Sequence, residues 1–273
     1  MTGGLCAPRS RCGWVSVCAA LGLGAALFGY SPEATAVGTD TIELATNVPF
    51  VERRPVLVTS TEKGTPQMLV YRGKSPPEGV PNKPKPLVVM LHGMCDVAEN
   101  ECPHFAGSAT QDRVLLCPRA NLRCDGGGTL WSGKTETRTH LLDGFLDRAA
   151  RALPEDIDPS QKATLVGFSL GSFVALDVAQ RSPGKYKNLI LLGAKVEPDA
   201  KLLKEAGIES VLFGAGDRDM MHQHMVTVAA KLAKQGIRSR FVGMGDVGHW
   251  FAPDMNAWLT DAFAWLSLAD QKS

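Results

Sequence analysis

The sequence predicts an α/β domain: a mostly parallel central sheet with antiparallel strands at its N-terminal side and helices on both faces. Three observations carry that expectation. From Leu87 onward, short apolar runs alternate with amphipathic stretches of helical length, the rhythm of βαβ units. Those runs are apolar at consecutive positions, which suits strands covered on both faces. Before Leu87, two strand-like runs flank the turn-like Glu62-Lys63-Gly64-Thr65, the pattern of an antiparallel start to the sheet.

Residues 1–36 read as an export signal. Arg9 and Arg11 are the only charges before Glu33, Cys12 to Tyr30 is uncharged, and Ala34-Thr35-Ala36 is a small-x-small cleavage site. An uncleaved anchor is the competing reading, because an uncharged stretch of about 18 residues just spans a bilayer. Gly13, Gly22, Gly24 and Gly29 weaken a spanning helix. Cleavage leaves one domain, 37–273, exported to the periplasm or beyond, with no membrane span.

Pro55–Thr59 and Met68–Tyr71 are the first expected strands. A connector from Ser75 to Pro86 holds five prolines and no usable helix. Expected strands then fall at Leu87–Leu91, Val114–Cys117, Ala163–Val166, Leu189–Leu192, Val211–Phe213 and Arg240–Met244. Expected helices lie near Leu141–Leu153, Leu170–Arg181, His222–Gln235 and Asn256–Leu268. Two long irregular stretches remain, Met94–Arg113 and Ala120–His140. Loops of that length in a compact domain tend to be functional.

The chain has 29 Lys and Arg against 28 Asp and Glu, a net charge of +1. No basic excess points to nucleic acid. At 44% hydrophobic and 21% charged it is composed like a globular protein, not a disordered one. Of seven cysteines, Cys6, Cys12 and Cys18 leave with the signal, and Cys95, Cys102, Cys117 and Cys124 remain. An even number in an exported chain reads as two disulfides. Cys95–Cys102 and Cys117–Cys124 are the shortest closures, with the pairing left open. A metal site that includes Cys102-Pro103-His104 is the rival, but tight C-x₂₋₄-C pairs are absent. No metal or cofactor is expected.

Gly167-Phe168-Ser169-Leu170-Gly171 matches G-x-S-x-G between an expected strand and an expected helix. That context is what a nucleophile elbow requires: a tight turn that presents the serine at a helix N-terminus. His249 lies in Gly245-Asp246-Val247-Gly248-His249-Trp250, after the last expected strand and before the last helix, where it can serve as the base. Asp217 and Asp219, in Gly214-Ala215-Gly216-Asp217-Arg218-Asp219, both follow a strand and can supply the acid that orients the imidazole.

In this order the motifs resemble the α/β-hydrolase superfamily over roughly Leu87 to Leu268. Leu91-His92-Gly93, Gly167-Phe168-Ser169-Leu170-Gly171 and Phe213-Gly214-Ala215-Gly216-Asp217 look most like the phospholipase/carboxylesterase/thioesterase group. Secreted polyester depolymerases and feruloyl esterases are the close competitor. The resemblance implies a triad of Ser169, Asp217 and His249, the Gly-x-x-Asp run selecting Asp217. It also implies an oxyanion hole from the N–H groups of Leu170 and Met94. One departure is Ser172, where the group often has a second glycine. Trp131 and Trp250 are candidates to line the substrate pocket. The expected reaction is hydrolysis of a small-molecule or polymeric carboxylic ester or thioester. A serine peptidase of prolyl-oligopeptidase type, or a non-catalytic binding protein on the same fold, are the alternatives.

Overall fold

In chain order the strands are β1 (Asp40–Leu44), β2 (Val56–Ser60), β3 (Met68–Tyr71), β4 (Leu87–Leu91), β5 (Val114–Pro118), β6 (Leu122–Arg123), β7 (Thr129–Leu130), β8 (Ala163–Phe168), β9 (Tyr186–Leu192), β10 (Ser210–Ala215) and β11 (Arg238–Gly243). The helices are α1 (Ala98–Glu101), α2 (Pro103–Ala109), α3 (Thr135–Ala152), α4 (Leu170–Ala179), α5 (Ala200–Ala206), α6 (His222–Lys234) and α7 (Met255–Ser267). These assignments come from a computed structural model that describes residues 40–45 and 54–268. The expected export signal and its cleavage site lie outside the described residues.

Among the described residues, nine strands form one sheet in the order β1-β2-β3-β5-β4-β8-β9-β10-β11. β1, β2, β3 and β5 pair antiparallel, and every pair from β5 through β4 to β11 is parallel. This is the α/β-hydrolase fold.

β4 shows why its run is apolar at every position. Leu87, Val89 and Leu91 enter one core cluster with Leu142 and Phe145 of α3, Val174 and Val178 of α4, and Met225 and Leu232 of α6. Val88 and Met90 enter the other, with Phe105 of α2 and Trp258, Leu259 and Phe263 of α7. Successive side chains on a strand point to opposite faces, so a sheet covered on both sides needs both sets apolar. Each such side chain contributes about 1.5–3 kcal/mol by leaving water.

Helices too short to show an apolar period went unread. α1 and α2 occupy a stretch expected to be irregular, with Pro103 opening α2. α5 is held at its ends instead: the Asp199 side chain accepts the N–H groups of Lys201 and Leu202, and Gly207 closes it in the left-handed conformation at φ 77°. α3 begins at Thr135, a polar turn before its apolar stripe.

The cysteines form two disulfides, Cys95–Cys124 and Cys102–Cys117, so neither of the shortest closures is made. Cys102 ends α1 and faces β5, which carries Cys117, and both are fully buried. Cys124 is brought to Cys95 by the β6–β7 hairpin. Thr129 of that hairpin donates its N–H to Asp96 O at 2.9 Å, and Cys124 donates to Gly128 O at 3.2 Å. Tertiary packing thus overrides sequence proximity. Among the described residues no helix is long and apolar enough to cross a membrane.

Candidate active site

Parallel strands bring their carboxyl ends to one edge of the sheet, where loops converge. Leu91 of β4 is in register with Gly167 of β8, Phe168 with Leu192 of β9, and Ala215 of β10 with Gly243 of β11. The segments that follow β4, β8, β10 and β11 carry Gly93, Ser169, Asp219 and His249.

Ser169 has φ 52° and ψ −118°, a backbone region that disfavours a side chain and marks a strained, over-determined turn. The turn closes only because its neighbours lack side chains. A Cβ on Gly167 would lie 2.3 Å from Gly171 O, and one on Gly171 only 1.9 Å from Leu91 O. Ser172 fastens the same turn. Its buried hydroxyl accepts the Leu192 N–H at 2.9 Å and lies 2.6 Å from Gly167 O and 2.8 Å from Leu192 O. The departure from Gly-Gly therefore has a structural use, tying the elbow to the end of β9.

His249 Nε2 lies 3.0 Å from Ser169 Oγ, and its Nδ1 lies 2.8 Å from Asp219 Oδ2. The Asp219 side chain is 3% exposed, and Oδ1 also accepts the Met221 N–H at 2.9 Å. The expected acid, Asp217, is not in this relay. Its side chain is 55% exposed, and Oδ1 sits 3.8 Å from His222 Nδ1. The reason is a turn after β10, closed by Asp219 N–H to Gly216 O at 3.1 Å. It leaves Asp217 facing solvent and swings Asp219 back under the imidazole. This geometry fits a hydroxyl activated by a base that a buried carboxylate orients.

The N–H groups of Met94 and Leu170 make no hydrogen bond within the described residues. Both flank the serine, Leu170 at the start of α4 and Met94 after Gly93, whose Cα faces the Ser169 side chain: a Cβ there would stand 3.5 Å from Ser169 Cβ. Trp131 does not line a pocket. It is 1% exposed and donates Nε1–H to His92 O at 3.0 Å. Trp250 is 41% exposed and stacks edge-on against Phe168 and His104. Met94, Phe173 and Met220 are exposed as well. Each of these four apolar side chains lies within four residues of Gly93, Ser169, Asp219 or His249.

Sequence reasoning missed Glu101. It is fully buried, and its Oε1 accepts the Gly93 N–H at 2.8 Å. Burial, opposed by that hydrogen bond and reinforced by neighbouring Asp96, pushes its carboxyl up to about 9. Burial lowers His92 in turn, so its ring is neutral. Among the described residues, no group of His, Cys, Asp or Glu side chains is arranged to hold a metal ion.

No family model matches the chain. Over 111 residues it is 32% identical to a pimeloyl-[acyl-carrier protein] methyl ester esterase of Aromatoleum aromaticum, covering 40% of this chain and 37% of that protein. The chain thus spans little more than a third of that curated relative. Among solved structures it resembles esterase PE8, at 25% identity and a TM-score of 0.52 over 68% of this chain and 96% of that one. A Bacillus cereus carboxylesterase, at 18% identity and a TM-score of 0.55, shares the fold over 76% of this chain and 96% of that one.

Proposed function

We propose that this chain, which has the α/β-hydrolase fold, is an exported serine hydrolase that cleaves a carboxylic ester or thioester through an acyl-enzyme. The observation that carries this is the relay Ser169–His249–Asp219, hydrogen-bonded at 3.0 and 2.8 Å on a strained elbow.

Ser169 Oγ attacks the acyl carbonyl while His249 Nε2 takes its proton. Asp219 holds Nδ1–H, fixing the tautomer and stabilising the imidazolium. Negative charge on the carbonyl oxygen is met by the N–H groups of Met94 and Leu170, the latter at the positive end of α4. The tetrahedral species collapses, the carbonyl re-forms, and His249 returns its proton to the departing alcohol or thiol. Water, giving a proton to His249, then attacks the acyl-enzyme; the Oγ–acyl bond breaks, His249 returns that proton to Ser169 Oγ, and the acid leaves.

The exposed Met94, Phe173, Met220 and Trp250, each close in sequence to Gly93 or a member of the relay, favour an ester with apolar substituents. Two disulfides support an oxidising, exported setting. The test is a p-nitrophenyl ester series from acetate to palmitate, with peptide anilides alongside, and a fluorophosphonate label located by mass spectrometry. The proposal expects ester turnover, a label on Ser169, and loss of both in Ser169→Ala. Anilide turnover without ester turnover would place the protein among peptidases.

A further inference from the structure

Two peptide units flank Gly93, and they carry four polar groups. Three of these are held by buried side chains. His92 O accepts Trp131 Nε1–H at 3.0 Å, Gly93 N–H is taken by Glu101 Oε1 at 2.8 Å, and Gly93 O lies 2.8 Å from His92 Nδ1. The fourth, the Met94 N–H, has no acceptor among the described residues.

We propose that Glu101, His92 and Trp131 are positioning residues that clamp the Gly93 loop so that its one free donor, the Met94 N–H, meets the oxyanion. The proposal rests on the hydrolase reading above.

The clamp works through the planarity of the peptide. In a trans unit C=O and N–H point in opposite directions. The His92 ring, by donating to Gly93 O, therefore fixes the Met94 N–H on the far side of the same plane. The ring's own tautomer is set by its surroundings. Ala120 N–H points at Nε2 from 3.2 Å, so Nε2 accepts and Nδ1 carries the proton. Thr129 Oγ1, also 3.2 Å from Nε2, completes the seat. Glu101 and Trp131 hold the preceding plane by its two ends. All three side chains are at most 1% exposed, so the bonds do not compete with water. Glu101 is neutral near pH 7, which lets it accept the N–H without placing a negative charge beside a developing anion.

The test compares wild type with Glu101→Gln, Glu101→Leu and Trp131→Phe. The readouts are kcat and KM on a p-nitrophenyl ester, binding of an aryl trifluoromethyl ketone as a tetrahedral analogue, and melting temperature. Gln keeps an oxygen acceptor for Gly93 and should stay within about threefold of wild-type kcat. Leu removes it and should lower kcat by roughly 10- to 100-fold, part of the ~10²–10³ that one oxyanion donor supplies. KM for the ester should move little, and ketone affinity should fall in step with kcat. Trp131→Phe keeps the aromatic body and loses only the donor, so it still decides the matter if the Leu variant does not fold; it should lower kcat and ketone affinity together. Equal kcat and ketone affinity in wild type, Glu101→Leu and Trp131→Phe would overturn the clamp while leaving the hydrolase reading intact. A wild type that neither turns over esters nor reacts with fluorophosphonate would overturn both.

Discussion

His249 Nδ1 donates to Asp219 Oδ2 at 2.8 Å, whereas the Asp217 carboxylate, two residues earlier, stands at the surface beside His222. Asp219→Asn should therefore lower kcat by roughly 10³- to 10⁴-fold, because the amide favours the wrong imidazole tautomer. Asp217→Asn should leave kcat within about threefold. Steady-state kinetics on one activated ester decide it, and the reverse ranking would return the acid to Asp217.

The two-residue difference shows where local pattern stops being informative. Ser169 and His249 are legible because glycines and strand ends mark them. Asp217 and Asp219 share one strand end, and only the turn closed on Gly216 O decides which faces inward. The bounds of β3 and β4 follow from their apolar runs alone. Glu101 was illegible for a different reason. An acidic residue in Glu99-Asn100-Glu101 reads as solvated, and only the packing of α1 over Gly93 buries it.

The elbow makes a sharper demand on Gly171 than on most glycines. An added Cβ would lie 1.9 Å from Leu91 O and 2.8 Å from His92 O, both backbone atoms. Gly171→Ala should then destabilise by more than the ~1–3 kcal/mol of ordinary overpacking, and should lower kcat by shifting Ser169. Gly144→Ala is the control. It sits on the exposed side of α3 with nothing within 4 Å of the new Cβ. It should stabilise by about 0.5–1 kcal/mol through helix propensity. Denaturant melts of the two variants read both effects, and a wild-type melt for Gly171→Ala would contradict the packing argument.

The two disulfides should separate by function. Non-reducing peptide maps should show Cys95–Cys124 and Cys102–Cys117, and a Cys95–Cys102 peptide would refute the arrangement. Cys95 is exposed and next to Met94, with φ 55°; Cys102 and Cys117 are fully buried. Mild thiol should open the outer bridge first and lower kcat by loosening the loop that carries the Met94 N–H. The inner bridge closes a separation of 15 residues, worth about 3 kcal/mol on the chain-entropy account. Its removal by Cys102→Ser with Cys117→Ser should appear mainly as a lower melting temperature.

Glu101 should leave a mark on stability as a function of pH. Its carboxyl is raised from 4.5 to about 9 in the folded chain. Below the lower value both states hold the proton, and above the upper value neither does. Between them the folded state keeps a proton that the unfolded state has lost, so stability falls as pH rises across that window. The slope approaches about 1.4 kcal/mol per pH unit for one group. Glu101→Gln keeps an oxygen for the Gly93 N–H and does not titrate, so its stability should rise relative to that of wild type as pH goes from 5 to 8. Unfolding free energies at several pH values in this range, taken for both proteins in the same buffer series, measure the difference directly. Parallel curves would mean that Glu101 is ionised in the folded protein, and that the carboxyl beside Gly93 is paired with a cation or with water instead of being held neutral by burial.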